Sequence, residues 1–264
     1  MFTGGTTQHF RRMWVGSSSQ IFQQLSGCNA VIYYLPVLLK SIGQTNDMAM
    51  LIGGINMIVY AAFATFSWFF VEKLGRRPLF LGGMFVQMIS MIICFGCLIP
   101  GNSSPKPQPA KGAIFGFFLY MAAFGATILP LPWLYPAELS PTRTRAKANA
   151  VSTCSNWLFN FTIVMITPVM TATIFWRTYL FFAVMNAWGL PVMYFFYPET
   201  RGRSLEEIDM IFEKGYVENM WYVKAAYELP PLSEIIGERE DAEKGNVQTT
   251  EDITRREEEQ EKID

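Results

Sequence analysis

Charge is what this 264-residue chain has least of. Asp, Glu, Lys and Arg make up 16% of it, against about 25% in an ordinary soluble domain. It holds a single histidine, His9, in the polar N-terminal segment, where a solvated surface position is expected. Its four cysteines (Cys28, Cys94, Cys97 and Cys154) all fall in apolar stretches. Their spacing suits neither a disulfide framework nor a metal site, so they are expected to pack as small apolar side chains. The opening MFTGGTTQHFRRMW has no apolar core before its arginines, so no secretory signal is expected there. A nucleophile–base pair, a metal-ligand cluster and a phosphate loop are all lacking, which argues against an enzyme and against any metal or cofactor. Nothing in the pattern points to nucleic acid.

What is present is apolar. The chain is 51% hydrophobic and 15% aromatic with a mean hydropathy of +0.20, and most of its acids lie in the last third. Six stretches, roughly 15–39, 49–71, 79–99, 113–136, 150–171 and 178–197, approach the ~20 mostly apolar residues of a membrane-spanning helix. The expected fold is an all-α integral membrane protein embedded in a lipid bilayer. It has an N-terminal segment over 1–14, a six-helix bundle over 15–197 and a tail over 198–264. Arg11, Arg12, Lys73, Arg76, Arg77, Arg143, Arg145, Lys147, Arg201 and Arg203 fall on one side of the bundle. Only Lys40, Lys106, Lys111 and Arg177 fall on the other. The excess of cations predicts a multi-pass protein with both termini cytoplasmic. Asn102-Ser103-Ser104 is a glycosylation candidate on the opposite face. In the tail, Ser204 and Glu207 make a capping box, and Ile208, Ile211 and Phe212 form a stripe. Together they predict a short amphipathic helix over 204–214 that stops at Gly215. Residues 231–264, charged and without aromatics, are expected to be disordered or a solvated helix.

Buried amides are the anomaly. The stretch QQLSGCNAVIYY (23–34) and the preceding Gln20 put Gln20, Gln23, Gln24 and Gly27 on one helical face. Asn29 joins that face only if the helix unwinds near Ser26-Gly27. Broken helices of this kind mark transporter binding sites, although amides also serve as interhelical glue. The fourth stretch repeats the signal, with Pro130, Pro132 and Pro136 around Trp133, and the fifth holds Ser155, Asn156, Trp157 and Asn160. Aromatic faces beside amides suit a neutral, hydroxyl-rich ligand, while each Trp could equally be a packing residue. No charge falls in the middle of any span, where a charged solute would call for one. Three acids, Glu72, Glu138 and Glu199, sit beside arginines at the cation-rich ends. They fit a latch that holds one conformation, or a neighbourhood of simple positive-inside anchors.

The motifs QQLSGCNAVIYY, EKLGRRP, LPWLYPAELSPTRTRAKA, SNWLFNF and YPETRGRSLEEID, in this order, resemble the C-terminal half (helices 7–12) of a sugar porter of the major facilitator superfamily. The run from Pro132 to Met170 is most similar to the fungal branch of sugar-transporter-like proteins and glycerol–proton symporters. The resemblance implies alternating-access transport of a neutral sugar or polyol, with the proton as the one coupling ion to consider, at a plasma membrane. It implies solute contacts at Gln23, Gln24, Asn29, Trp133, Asn156 and Trp157, with Tyr33 and Tyr34 in or gating the cavity. It also implies a conformational charge network of Glu72, Arg76, Arg77, Glu138, Arg145 and Glu199. Two positions depart from the glucose facilitators, Tyr60 in place of an asparagine and Gly125 in place of a glutamate. The family has a second six-helix half, N-terminal to this one, that the chain lacks as given, so a fragment is expected. A non-transporting sugar sensor of the same fold is the alternative.

Overall fold

The computed structural model describes residues 5, 7–41, 43–99 and 108–230, and every regular element among them is helical. The described residues up to 226 form one compact unit, and the second unit, 227–264, lies almost wholly outside the described residues. Asn102 and the expectation for 231–264 also lie outside them. The elements are α1 (His9–Leu25), α2 (Cys28–Ser41), α3 (Asn46–Leu74), α4 (Arg76–Leu98), α5 (Gln108–Ala123), a π-helical turn (Phe124–Ile128), α6 (Leu131–Leu139), α7 (Arg145–Thr173), α8 (Arg177–Phe196), α9 (Leu205–Val217) and α10 (Tyr222–Glu228).

Two of the six expected spans are broken, for reasons written in their residues. The first separates into α1 and α2 at Ser26-Gly27, where Gly27 takes φ 96°. A side chain there would strain the backbone, and its Cβ would lie 2.8 Å from the Phe182 ring. The fourth becomes α5, the π turn and α6. Leu129 N–H donates to the Phe124 carbonyl, five residues back, at 2.9 Å. Pro130 and Pro132 follow at once, and neither can donate into an α-helical ladder.

Among the described residues four stretches are long and apolar enough to cross a membrane: 46–74, 76–98, 111–139 and 177–196. The two that fall short are α1–α2, which is broken, and α7, which is long but too polar. These are the two that carry the amides Gln20, Gln23, Gln24, Asn29 and Asn156. In the fold, α1 packs on α6 and α7, α4 packs on α5 and α8, and α3 packs on α2, α5 and the π turn. At the end of the bundle where α1 begins, the buried rings of Phe80, Tyr135 and Tyr197 meet with centroids 5.3–5.4 Å apart. Their hydroxyls are satisfied: Tyr135 donates to Pro198 O and Tyr197 pairs with Ser18 Oγ, each at 2.8 Å.

The capping box of Ser204 and Glu207 is formed, and Ile208, Ile211 and Phe212 are buried. Gly215 does not stop α9, which runs on to Val217. The Tyr222 ring lies where a Gly215 Cβ would be, 2.5 Å from it, so the glycine is a seat for that ring rather than a terminator. α9 is tied to α1 by Arg12, which is 1% exposed, ion-paired with Asp209 and placed 4.3 Å over the Phe212 ring. His9 is half-buried instead of solvated and lies beside Thr144 Oγ1. Burial, then the Arg12 charge, hold its pKa below the usual histidine value. Cys28 and Cys94 are packed inside, but Cys154 is exposed on α7, against expectation.

Replacing Gly27 by Ala should destabilise the chain by about 1–3 kcal/mol, from left-handed backbone and crowding of Phe182. Thermal unfolding in detergent measures it, and an unchanged midpoint would mean the break tolerates a side chain.

Candidate functional site

The amides singled out in the sequence converge, and they turn inward. Gln20, Gln23, Gln24, Asn29 and Asn156 are each at most 7% exposed. Asn156, midway along α7, is the hub. Its Nδ2 donates to Gln20 Oε1 and, at 2.9 Å, to Gln23 Oε1. Its Oδ1 accepts from Gln24 Nε2 at 3.1 Å. Asn29 Nδ2 donates to Gln24 Oε1 across the Ser26-Gly27 break.

The remaining glutamine donors go to backbone carbonyls that prolines have orphaned. In an unbroken helix Ile128 O would accept from residue 132 and Pro132 O from residue 136. Both donors are missing, because residues 132 and 136 are prolines. Gln23 Nε2 fills the first vacancy at 2.9 Å, and Gln20 Nε2 fills the second at 2.7 Å. Leu129 O would accept from Trp133 N–H, but that group donates to Pro130 O at 3.1 Å. Gln23 Nε2 reaches Leu129 O as well, at 3.2 Å. The break in the first span is treated in the same way. Ser26 O accepts from Tyr120 Oη at 3.0 Å and from Asn186 Nδ2 at 3.1 Å.

The aromatic candidates lie differently. Trp133 follows Pro132 in α6, and Trp157 follows Asn156 in α7. They are 46% and 61% exposed, and Tyr33 is 55% exposed. Tyr34 is half-buried and donates to Val164 O at 3.2 Å. The two departures from the glucose facilitators prove to be neighbours. A Cβ on Gly125 would lie 2.9 Å from Tyr60 O, and the Tyr60 ring stacks on Phe124 at 6.0 Å.

A second cluster occupies the end of the bundle where α4 begins. Arg76 grips Glu138 with Nε at 3.1 Å from both carboxylate oxygens and a terminal nitrogen at 2.6 Å. Thr200 Oγ1 donates to the same carboxylate at 2.5 Å. Among the described residues Glu199 pairs with no guanidinium; it accepts from the backbone N–H groups of Arg76, Arg77, Thr200 and Arg201 at 2.9–3.0 Å. It therefore caps α4 from outside the helix. Gly75, at φ 93° and without a side chain, offers no cap of its own, and a Cβ on it would sit 2.8 Å from Glu199 Oε2. Arg77 donates to Tyr194 O at 2.8 Å and lies 4.8 Å over that ring.

Two residues expected in this network make no bond to it among the described residues. Glu72 is exposed at the end of α3 and has no ion-pair partner among the described residues. Arg145, at the first turn of α7, reaches back to Ser140 O at 3.4 Å rather than to Glu138. Sequence reasoning passed over Thr200, Asp209, Tyr120 and Asn186. Only Thr200 carried a signal, as the neighbour of Glu199. It also passed over Asn56 and Gln87, whose amides are fully buried and bond to none of the described residues.

The chain has known relatives. Residues 1–212 match the family described as sugar (and other) transporter. Over 234 residues the chain is 47% identical to the sugar transporter STL1 of Saccharomyces cerevisiae, covering 88% of this chain and 40% of that protein. It is 44% identical to the major facilitator superfamily transporter mfsA of Aspergillus fumigatus, with 88% and 42% covered. Among solved structures, the proton:xylose symporter XylE bound to 6-bromo-6-deoxy-D-glucose superposes with a TM-score of 0.67 at 27% identity, over 76% of this chain and 42% of that one. The chain thus spans about 40% of the length of the curated relatives it matches. By sequence and by architecture alike, it belongs to the sugar transporter family and forms half of a major facilitator superfamily fold.

Proposed function

We propose that this chain supplies one half of a transporter that carries a neutral sugar or polyol across the plasma membrane by alternating access. In this reading both termini are cytoplasmic, and the facing wall of the cavity comes from a second six-helix half, N-terminal to this one. The observation that carries the proposal is the meeting of two broken helices on one uncharged amide cluster. Trp133, Trp157 and Tyr33 supply faces for the C–H surface of a sugar. Gln23, Gln24, Asn29 and Asn156 are placed to exchange their mutual bonds for hydroxyls when solute enters. Tyr34 gates the same edge. The absence of ionisable groups from the cluster favours an uncharged solute.

The Arg76–Glu138 pair and the Glu199 cap act as the latch. They join the start of α4, the end of α6 and the segment after α8, which must part if the helices rock against a partner half. A proton is the proposed coupling ion, and its acceptor is assigned to the other half. The names of the relatives support this solute class, since they include glucose and galactose transporters of Candida albicans and Saccharomyces cerevisiae.

Cells expressing the full-length gene should take up at least one of labelled glucose, xylose or glycerol, and a rate that differs between two pH values would mark coupling. Binding without uptake would instead assign a sensor. Trp133→Ala should raise KM about two- to tenfold with membrane insertion unchanged, whereas a packing role would show as lost expression. Asn156→Leu leaves three glutamines short of partners and should lower stability by about 1–3 kcal/mol, read as a reduced melting midpoint in detergent. For the latch, Arg76→Gln and Glu138→Gln should be strongly non-additive, with a coupling of about 0.5–3 kcal/mol in a double-mutant cycle; additive losses would exclude a working pair.

A further inference from the structure

The end of the bundle where α1 begins and α8 finishes holds a cavity of about 630 Å³, and none of the cluster amides lines it. Phe195 and Phe196, at the end of α8, and Trp221, before α10, form its apolar side. Their rings touch, with Trp221 6.0 Å from Phe195 and 5.4 Å from Phe196. All three are exposed. Because α8 is apolar and long enough to cross a membrane, they stand where aromatic side chains meet lipid headgroups.

The other side of the cavity is cationic. The first turn of α1 contains no acid. Arg12 is matched by Asp209, but Arg11 has no acidic partner among the described residues. It donates to Tyr222 Oη at 2.7 Å and lies 5.2 Å over the Tyr222 ring. A guanidinium carries five N–H donors, so a phenol leaves most of them available to an oxyanion. An exposed cation facing a cavity whose opposite wall is aromatic and at headgroup depth is complementary to one class of molecule, an amphiphile with an anionic head.

We propose that this cavity binds an anionic glycerophospholipid, its phosphate on Arg11 and its acyl chains along Phe195, Phe196 and Trp221. The inference requires membrane insertion only and is independent of the transported solute. Native mass spectrometry of the detergent-solubilised full chain, offered phosphatidylserine or phosphatidylcholine, tests it. Wild-type chain should retain phosphatidylserine in preference. Arg11→Gln should lower that retention about fivefold, the share of one cation near a lipid surface, with phosphatidylcholine unaffected. Trp221→Ala should lower retention of both lipids, and circular dichroism should report unchanged helicity in each variant. Equal retention of the two lipids by wild type, or phosphatidylserine retention that survives both substitutions, overturns the proposal. Displacement of phosphatidylserine by inorganic phosphate at matched concentration would assign the site to a free anion and also overturn it.

Discussion

A carbonyl freed from its helix inside a bilayer has no water to turn to, and leaving it unpaired costs several kcal/mol. The architecture of this chain follows from how that debt is settled. Prolines at 132 and 136 free two carbonyls, and glutamines at 23 and 20 reach across from α1 to bond them. Glutamine suits the task because its amide stands far enough from its own backbone to meet another helix while still offering an acceptor. Those acceptors, Gln20 Oε1 and Gln23 Oε1, are then bonded by Asn156. One asparagine on α7 completes what two prolines on another helix began. An apolar α1 could not stand in this place, and nor could a regular α6 make use of these amides.

The same short helix connects the two clusters. α6 has nine residues, about 13 Å at 1.5 Å per residue. Pro132, near its start, takes the bond from Gln20, while Glu138, near its end, takes the grip of Arg76. A rearrangement of the amides would therefore act on a rigid element whose far end is held by charge. Glu199 adds a second restraint there, since by capping α4 it makes the start of that helix depend on the segment after α8. Electrostatics at the bundle end and hydrogen bonding within it are parts of one mechanical unit.

How much of this was legible depended on whether the cause lay within one segment. The break at Ser26-Gly27 could be read because only an unwound helix brings Gln24 and Asn29 to one side, and glycine permits it. The capping box of α9 is likewise local. The direction of the amides was not local. On a helical wheel Gln20, Gln23 and Gln24 share a face, but whether that face meets solute or another helix is set by the orphaned carbonyls of a segment a hundred residues away. Proline spacing of four (132, 136) beside glutamine spacing of three (20, 23) was the available signal, and it takes the pairing of α1 with α6 to interpret it. The charge network was read by proximity to arginines, which picked out Glu138 and Glu199. The same rule included Glu72, which has no ion-pair partner among the described residues, and Arg145, which folds back on a carbonyl. It also missed that Glu199 serves backbone donors, because an acid capping a helix remote in sequence leaves no local pattern.

Tyr60 and Gly125 carry this logic one step further. Considered singly, each is a polar residue of the glucose facilitators lost. In the fold they are one substitution in two parts. The backbone of α3 at Tyr60 lies so close to the π turn that Gly125 has no room for a β-carbon, let alone a carboxylate. The Tyr60 ring stacks on Phe124, and Phe124 stacks in turn on Tyr120, 6.4 Å away. A three-ring aromatic column thus runs to the Ser26-Gly27 break, where Tyr120 bonds Ser26 O, and its close packing depends on the glycine. Restoring a glutamate at 125 alone would push α3 away before it offered any solute a hydrogen bond. This wall could regain polarity only through coordinated change at both positions.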